Sequence, residues 1–255
     1  MLRILVSNDD GIEAHGIRTL VRFLSHMAEV YVVAPDKQRS ASGQAITFGG
    51  KVTAKQVEMD GAKKAIALSG TPADCAKFGI DMMREAGTPP DFVIGGINHG
   101  DNASVNSHYS GTMGVTMEGC MKYIPSIAFS LCDHRDDADF TPLRPLVRQI
   151  VTRVLTTGLP KGVCLNVNFP KLTEFRGVKI CRMAYGTWDN ECVKMRHPHG
   201  YDYFWMTGEY TNDEPQAEDT DSWALTHGYV SITPTTMDVT AYEAMKEVQK
   251  LIVEN

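Results

Sequence analysis

An α/β fold with a mostly parallel sheet is what the sequence predicts, and three observations carry the prediction. An apolar run at Ile4-Leu5-Val6 is followed by helical spacing and a second run, Val30 to Ala34, the pattern of a βαβ unit. Further short apolar runs recur at Phe92 to Ile97, Ile124 to Ser130 and Gly162 to Pro170, with helical stretches between them. Polar residues gather where these runs stop, the place where open parallel sheets hold their ligands. At 255 residues the chain can bury a full core as one large domain or two small ones.

The first run ends at Ser7-Asn8-Asp9-Asp10-Gly11. Successive side chains of a strand face opposite ways, so Asp9 and Asp10 share a centre only if the backbone turns there, as Gly11 permits. Adjacent carboxylates repel, and a hard cation such as Mg²⁺ or Mn²⁺ relieves that conflict. Ile17, Leu20, Val21, Phe23 and Leu24 fall on one side of a helix, and Glu29 to Ala34 is the second strand. A right-handed crossover puts the loop after Ala34, Pro35 to Gly43 with Ser40, on the same edge as Asp9. Residues 51 to 68 read as short β pieces turning at Asp60-Gly61. Thr71 caps a helix with Pro72 in its first turn, running to about Arg84. Phe92 to Ile97 is a strand ending at Asn98-His99-Gly100-Asp101-Asn102.

Ser110-Gly111-Thr112 precedes a helix containing Met113, Val115, Met117 and Met121; taken alone it reads first as a plain N-cap, and its N–H groups and hydroxyls also suit an anion. Ile124 to Ser130 is a further strand, Asp133 to Asp139 an exposed acidic loop and Leu143 to about Leu155 a helix. Gly162 to Pro170 is expected to be the last strand of the main sheet. From about residue 175 the segments shorten and turn aromatic, with Tyr185, Trp188, Tyr201, Tyr203, Phe204 and Trp205, as in an appendage or an oligomer contact. Glu209 to Asp221 reads as a solvated loop, Tyr229 to Pro234 as a strand and Ala241 to Val253 as a helix. The expected division is a core over 1–174 and a β-rich extension with a terminal strand and helix over 175–255, not an independent domain.

A net charge of −6 argues against nucleic-acid polymers as partners. Met-Leu-Arg leads straight into a strand without a signal-peptide pattern, and no apolar run approaches ~18 residues, so no membrane partner and a cytoplasmic location are expected. The six cysteines are scattered without Cys-x-x-Cys and read as reduced thiols. The first turn lacks Gly-x-Gly-x-x-Gly, against a dinucleotide oxidoreductase. A receiver module is excluded too, because no third Asp ends the third strand and no Lys the fifth. Asp9, Asp10, Ser40 and Asn98 instead make an all-oxygen donor set for one divalent cation, beside a phosphate cradle of Asn98, Ser110, Gly111 and Thr112.

At these residues the chain resembles the SurE family of survival-protein nucleotidases. The matching motifs are Ser7 to Gly11, Val33 to Asp36, Arg39 to Gly43, Gly70 to Cys75, Gly96 to Asn102, Tyr109 to Thr112, Leu165 to Pro170 and Gly228 to Pro234. The resemblance implies a Rossmann-like three-layer α/β/α sandwich. It implies a metal-dependent phosphomonoesterase acting on nucleoside 5′-monophosphates, with 3′ esters also expected. Dimers or tetramers formed through the carboxyl-terminal segment follow from it as well. Carried over by motif, Asp9, Asp10, Ser40 and Asn98 would hold one Mg²⁺ or Mn²⁺ per subunit, and a metal-activated water would attack phosphorus. Gln44, Gly95 and Val115-Thr116 depart from the family pattern and bear on substrate preference. Asp9 or Asp10 would orient the water, and His108, beside the cradle in sequence, is the candidate general acid, with His15 and His99 as competitors. The alternative is a noncatalytic nucleotide- or metal-binding protein.

Overall fold

In the computed structural model, which describes residues 1–253, β1 (Arg3–Ser7) lies in the interior of the sheet, one strand off its middle. Its side chains alternate between two cores: Ile4 and Val6 join one, Leu5 the other. That two-sided burial is what an uninterrupted apolar run implies. The chain continues through α1 (His15–Leu24), β2 (Glu29–Pro35), β3 (Ala54–Val57), β4 (Lys64–Leu68) and α2 (Pro72–Glu85). Next come β5 (Phe92–His99), α3 (Asn106–Tyr109), α4 (Gly111–Met121), β6 (Ser126–Leu131), α5 (Arg144–Thr157) and β7 (Val163–Phe169). The remainder is β8 (Val178–Ile180), β9 (Gly186–Asp189), β10 (Cys192–Arg196), β11 (Asp202–Met206), β12 (Glu209–Asn212), α6 (Asp221–Thr226), β13 (Val230–Thr236) and α7 (Met245–Ile252).

Nine strands form the main sheet in the order β3-β4-β2-β1-β5-β6-β7-β13-β8. From β4 to β7 all neighbours are parallel, while β3 pairs antiparallel with β4 across the turn at Gly61. Helices α1 and α5 pack one face, and α2 and α4 the other, giving a three-layer α/β/α sandwich. The helix α2 starts as the sequence dictates. Thr71 Oγ1 accepts from Asp74 N at 3.1 Å and Asp74 Oδ2 accepts from Thr71 N at 2.9 Å, a reciprocal cap.

The main sheet does not stop at β7, which corrects the expectation from sequence. β13 returns to pair antiparallel with β7, and β8 joins β13 in parallel, so the segment after residue 175 completes the sheet. The pairing joins residues about sixty positions apart, as in Ser231 with Asn168, and no local periodicity encodes it. The stretch Glu209 to Asp221 is likewise not simply solvated: it supplies β12 and the start of α6. Asp221 is fully buried and accepts from Ser104 N, Ala184 N and Ser222 N at 2.8 to 3.0 Å. Two small antiparallel pairs, β9–β12 and β10–β11, project from this region. Among the described residues no helix is long and apolar enough to cross a membrane.

The order of the strands creates a switch point. From β1 the chain proceeds outward through β2 and β4, then crosses back to β5 on the other side of β1. The carboxyl ends of β1 and β5 therefore diverge into a crevice. Its wall depends on the close approach of α1 to β5, because a Cβ at Gly16 would overlap the Ile97 carbonyl oxygen. Alanine ordinarily favours a helix over glycine by up to ~1 kcal/mol, whereas forced overlap with backbone costs ~1–3 kcal/mol. Gly16→Ala is thus expected to lower the thermal midpoint by several degrees. A variant as stable as the parent in thermal denaturation would refute this account of the packing.

Candidate functional site

The turn after β1 is built by its own side chains. Asn8, fully buried, donates through Nδ2 to Gly11 O at 3.0 Å and accepts through Oδ1 from Gly11 N at 3.2 Å, while Gly11 takes φ +100°. This clamp reverses the chain so that Asp9 and Asp10 both reach the crevice, as a continuing strand could not arrange. The loop after β2 is tied to the same turn by Ile12 N to Pro35 O at 2.8 Å and Arg39 N to Asp9 O at 2.7 Å. That brings Ser40 to the site. Across the crevice β5 loses register with β6 between Gly95 and Asn98, a bulge that redirects the strand end carrying Asn98.

Asp9, Asp10, Ser40, Asn98 and Ser110 line one cavity of about 930 Å³. Gly111 and Thr112 are used otherwise. Gly111 N donates to Asp9 Oδ2 at 3.1 Å and Thr112 Oγ1 donates to Asp9 Oδ1 at 2.7 Å, so the amino end of α4 already holds an anion, the Asp9 carboxylate. A Cβ at position 111 would lie 2.7 Å from Asp9 Cβ, which is why glycine stands there. Ser110 caps α4, its Oγ accepting from Met113 N at 3.0 Å. His108 is exposed and does not line the cavity, whereas His15, His99 and His134 do.

Burial, and then the charge of Asp10, push the Asp9 carboxyl up to about 6 against the opposing pull of Thr112 and Gly111. Asp10 is raised by burial too, against the hydrogen bond from His99 N at 3.2 Å and the charges of His99 and His134. The cavity thus holds two carboxylates that ionise reluctantly, and among its described lining residues there is no Lys or Arg. Asn98 donates both Nδ2 bonds to backbone, His99 O at 3.3 Å and Gly100 O at 2.9 Å, which leaves its Oδ1 as an acceptor. Ser40 Oγ accepts from Gln38 Nε2 at 2.9 Å and keeps a lone pair. No three His, Cys, Asp or Glu side chains gather into a metal cluster among the described residues. The donor set that remains is two carboxylates, an amide oxygen and a hydroxyl. Its hardness and its uncompensated negative charge fit Mg²⁺ or Mn²⁺.

Several wall residues escaped the sequence reading. His134 and Asp136 come from the loop after β6, which is not merely exposed: Asp133 is buried and paired with Arg135 at 2.8 Å and Lys171 at 3.3 Å. Asn102 is buried within an amide network, accepting from Asn166 Nδ2 at 2.7 Å and donating to Asn168 Oδ1 and Ser130 Oγ at 2.8 Å each. Trp188, Glu191 and Gly208 arrive from the region of β9 and β12. The aromatic composition after residue 175 was their sole signal, and it did not say that they face the site.

These features define a doubly wound α/β protein with an oxygen-rich, acidic ligand site at the switch point of its sheet. The family model described as Survival protein SurE matches residues 4–190, and the chain belongs to the SurE family. It is 51% identical to the 5'-nucleotidase SurE of Phocaeicola vulgatus over 98% of this chain and 97% of that one. It is 50% identical to the protein of the same name from Bacteroides thetaiotaomicron, over 96% and 93% of the two chains. The crystal structure of SurE from Aquifex aeolicus superposes with a TM-score of 0.82 at 35% identity, covering 98% of this chain and 99% of that one.

The raised Asp9 carboxyl sets a pH dependence for the cation-free protein. Its folded pKa, about 6, lies above its ordinary value of 3.8, so the folded state binds this proton more tightly than the unfolded state. The associated stability is full below pH 4 and lost as pH rises through 6, in all about 3 kcal/mol. In chelator, denaturant titrations between pH 4 and 7.5 should show this decline, and Asp9→Asn should flatten it. An unchanged slope in the variant would place the titration elsewhere.

Proposed function

We propose that this chain is a divalent-metal-dependent phosphomonoesterase that hydrolyses nucleoside 5′-monophosphates, and 3′ esters as well, to nucleoside and phosphate. Membership of the SurE family and relatives bearing the name 5'-nucleotidase support the activity. The single observation that carries the mechanism is the Asp9–Asp10 pair, Asp9 buried and Asp10 half-buried, in a cavity whose described lining has no fixed cationic Lys or Arg. A phosphate dianion cannot bind there unaided, so a cation must complete the site.

Asp9, Asp10, Ser40 and Asn98 are the proposed ligands of one Mg²⁺ or Mn²⁺. When bound, the cation supplies positive charge to the phosphoryl oxygens and lowers the pKa of a water at the site. The protein's own part is positioning. Gly111 and Thr112 fix the Asp9 carboxylate from behind, which restricts it to one orientation. Asp10, steadied by the His99 N–H, is placed to orient the attacking water. Ser110, whose hydroxyl hydrogen is still available, is the group left to contact phosphate, because Asn98 gives both Nδ2 hydrogens to backbone and offers only an acceptor oxygen. The leaving alkoxide needs a proton, and His99 is better placed than His108 to hold one. It lines the cavity, its Nδ1 lies 3.0 Å from Arg135 O, and Phe140 packs edge-on at 5.0 Å, so the ring is fixed while its Nε2 takes part in no hydrogen bond among the described residues.

The same reading gives the exposed apolar side chains Tyr201, Phe204, Trp205 and Met206, together with Leu251 and Ile252 of α7, to contacts between copies in a cytoplasmic dimer or tetramer. Sedimentation should then give a mass at least twice that of the chain.

Phosphate release from 5′- and 3′-nucleoside monophosphates with Mn²⁺, Mg²⁺ or chelator tests the activity. Turnover should vanish in chelator and fall by ~10³-fold or more in Asp9→Asn. Folded protein that releases no phosphate with any metal would leave only noncatalytic binding. Thermal shift by Mn²⁺ isolates the cation site: a rise at pH 7.5, a smaller one at pH 5 where protons compete for Asp9, and none in Asp9→Asn. Equal shifts in both proteins would remove Asp9 from the ligand set.

A further inference from the structure

The cavity is much larger than a phosphate group needs, and its outer wall has a chemistry of its own. Trp188 of β9 lines it with an immobilised indole. Nε1 donates to Asn106 Oδ1 at 2.9 Å, and Tyr210 packs against the ring at 5.8 Å between centroids. Tyr210 is itself held by a 2.7 Å bond from its hydroxyl to Ser104 Oγ. Such a ring loses little entropy on binding a flat ligand. Beside it stands Glu191. A Cβ added at Gly208 would lie 2.7 Å from Trp188 Cε3 and 3.4 Å from Glu191 Cγ. The bare glycine therefore lets the indole and the Glu191 side chain pack against the same point of the backbone, on the cavity wall that both line. Glu191 is in no ion pair and makes no side-chain hydrogen bond among the described residues, and no pocket-lining Lys or Arg competes for it.

We infer that this wall is a base subsite selective for guanine, with Trp188 as the stacking surface and Glu191 as the residue that reads the base edge. The inference rests on the nucleotidase reading for its physiological meaning. A carboxylate offers two acceptor oxygens and no donor. Guanine alone among the common bases presents two adjacent donors, N1–H and the 2-amino group, which match a carboxylate in the bidentate manner of an Arg–carboxylate pair. Hypoxanthine keeps N1–H and lacks the amino group. Adenine presents its amino group beside the N1 lone pair, which the carboxylate repels. Uracil flanks its one N–H with two carbonyl oxygens, which repel it as well. The expected order is guanine, then hypoxanthine, then adenine, with uracil last.

Calorimetry with free nucleosides in chelator tests the subsite apart from metal and turnover. The intact chain should bind guanosine at least about tenfold more tightly than adenosine, with inosine between them. Glu191→Gln should bring guanosine to within about twofold of adenosine, and Trp188→Ala should weaken all purine nucleosides together. Equal affinity for guanosine and adenosine in the parent, no nucleoside binding at all, or a preference that survives Glu191→Gln would each overturn the inference. Phosphate release from GMP with Mn²⁺ is read separately. Guanosine preference without turnover upholds the subsite and refutes the phosphatase, and turnover without preference does the reverse.

Discussion

The structure depends on keeping a carboxylate buried next to another carboxylate. Asp9 is 4% exposed and has Asp10 as its neighbour in sequence, an arrangement that burial and repulsion both oppose. It persists because the amino end of α4 is brought against it and supplies a backbone N–H and a hydroxyl, partners stronger for a charged acceptor than for a neutral one. Holding α4 there requires glycine at 111, a tight turn after β1 and α4 packed on β5 and β6. The crevice between β1 and β5 follows from the topology, but its chemistry follows from that one contact.

Much of this was legible in the sequence where local rules decide. The central strands announce themselves as short apolar runs because both their faces are covered, and α2 announces its start through Thr71, Pro72 and Asp74, which act within a few residues of each other. Asp9, Asp10, Ser40, Asn98 and Ser110 could be assembled from the rule that parallel strands end on one edge. The rest depends on contacts that sequence spacing does not encode. β13 could not be placed beside β7 because an antiparallel return to a parallel sheet leaves no periodic mark. Gly111 and Thr112 carry the residue types of a phosphate cradle, yet the Gly111 N–H and the Thr112 hydroxyl are taken by Asp9, and only the distance across the crevice reveals that. His108 is next to the cradle in sequence but exposed in the fold, since a single turn of α3 is enough to direct neighbours apart.

The electrostatics of the cavity impose an order on how it can work. The chain is acidic overall, and the cavity adds Asp9, Asp10, Asp136 and Glu191 without a lining Lys or Arg among its described residues. A doubly charged phosphate ester approaching such a surface is repelled once it comes within a Debye length, ~8–10 Å at physiological ionic strength, beyond which the repulsion is largely screened. Under the proposed function, capture of a divalent cation must therefore precede productive capture of the ester. The raised Asp9 carboxyl makes that first step a competition between cation and proton.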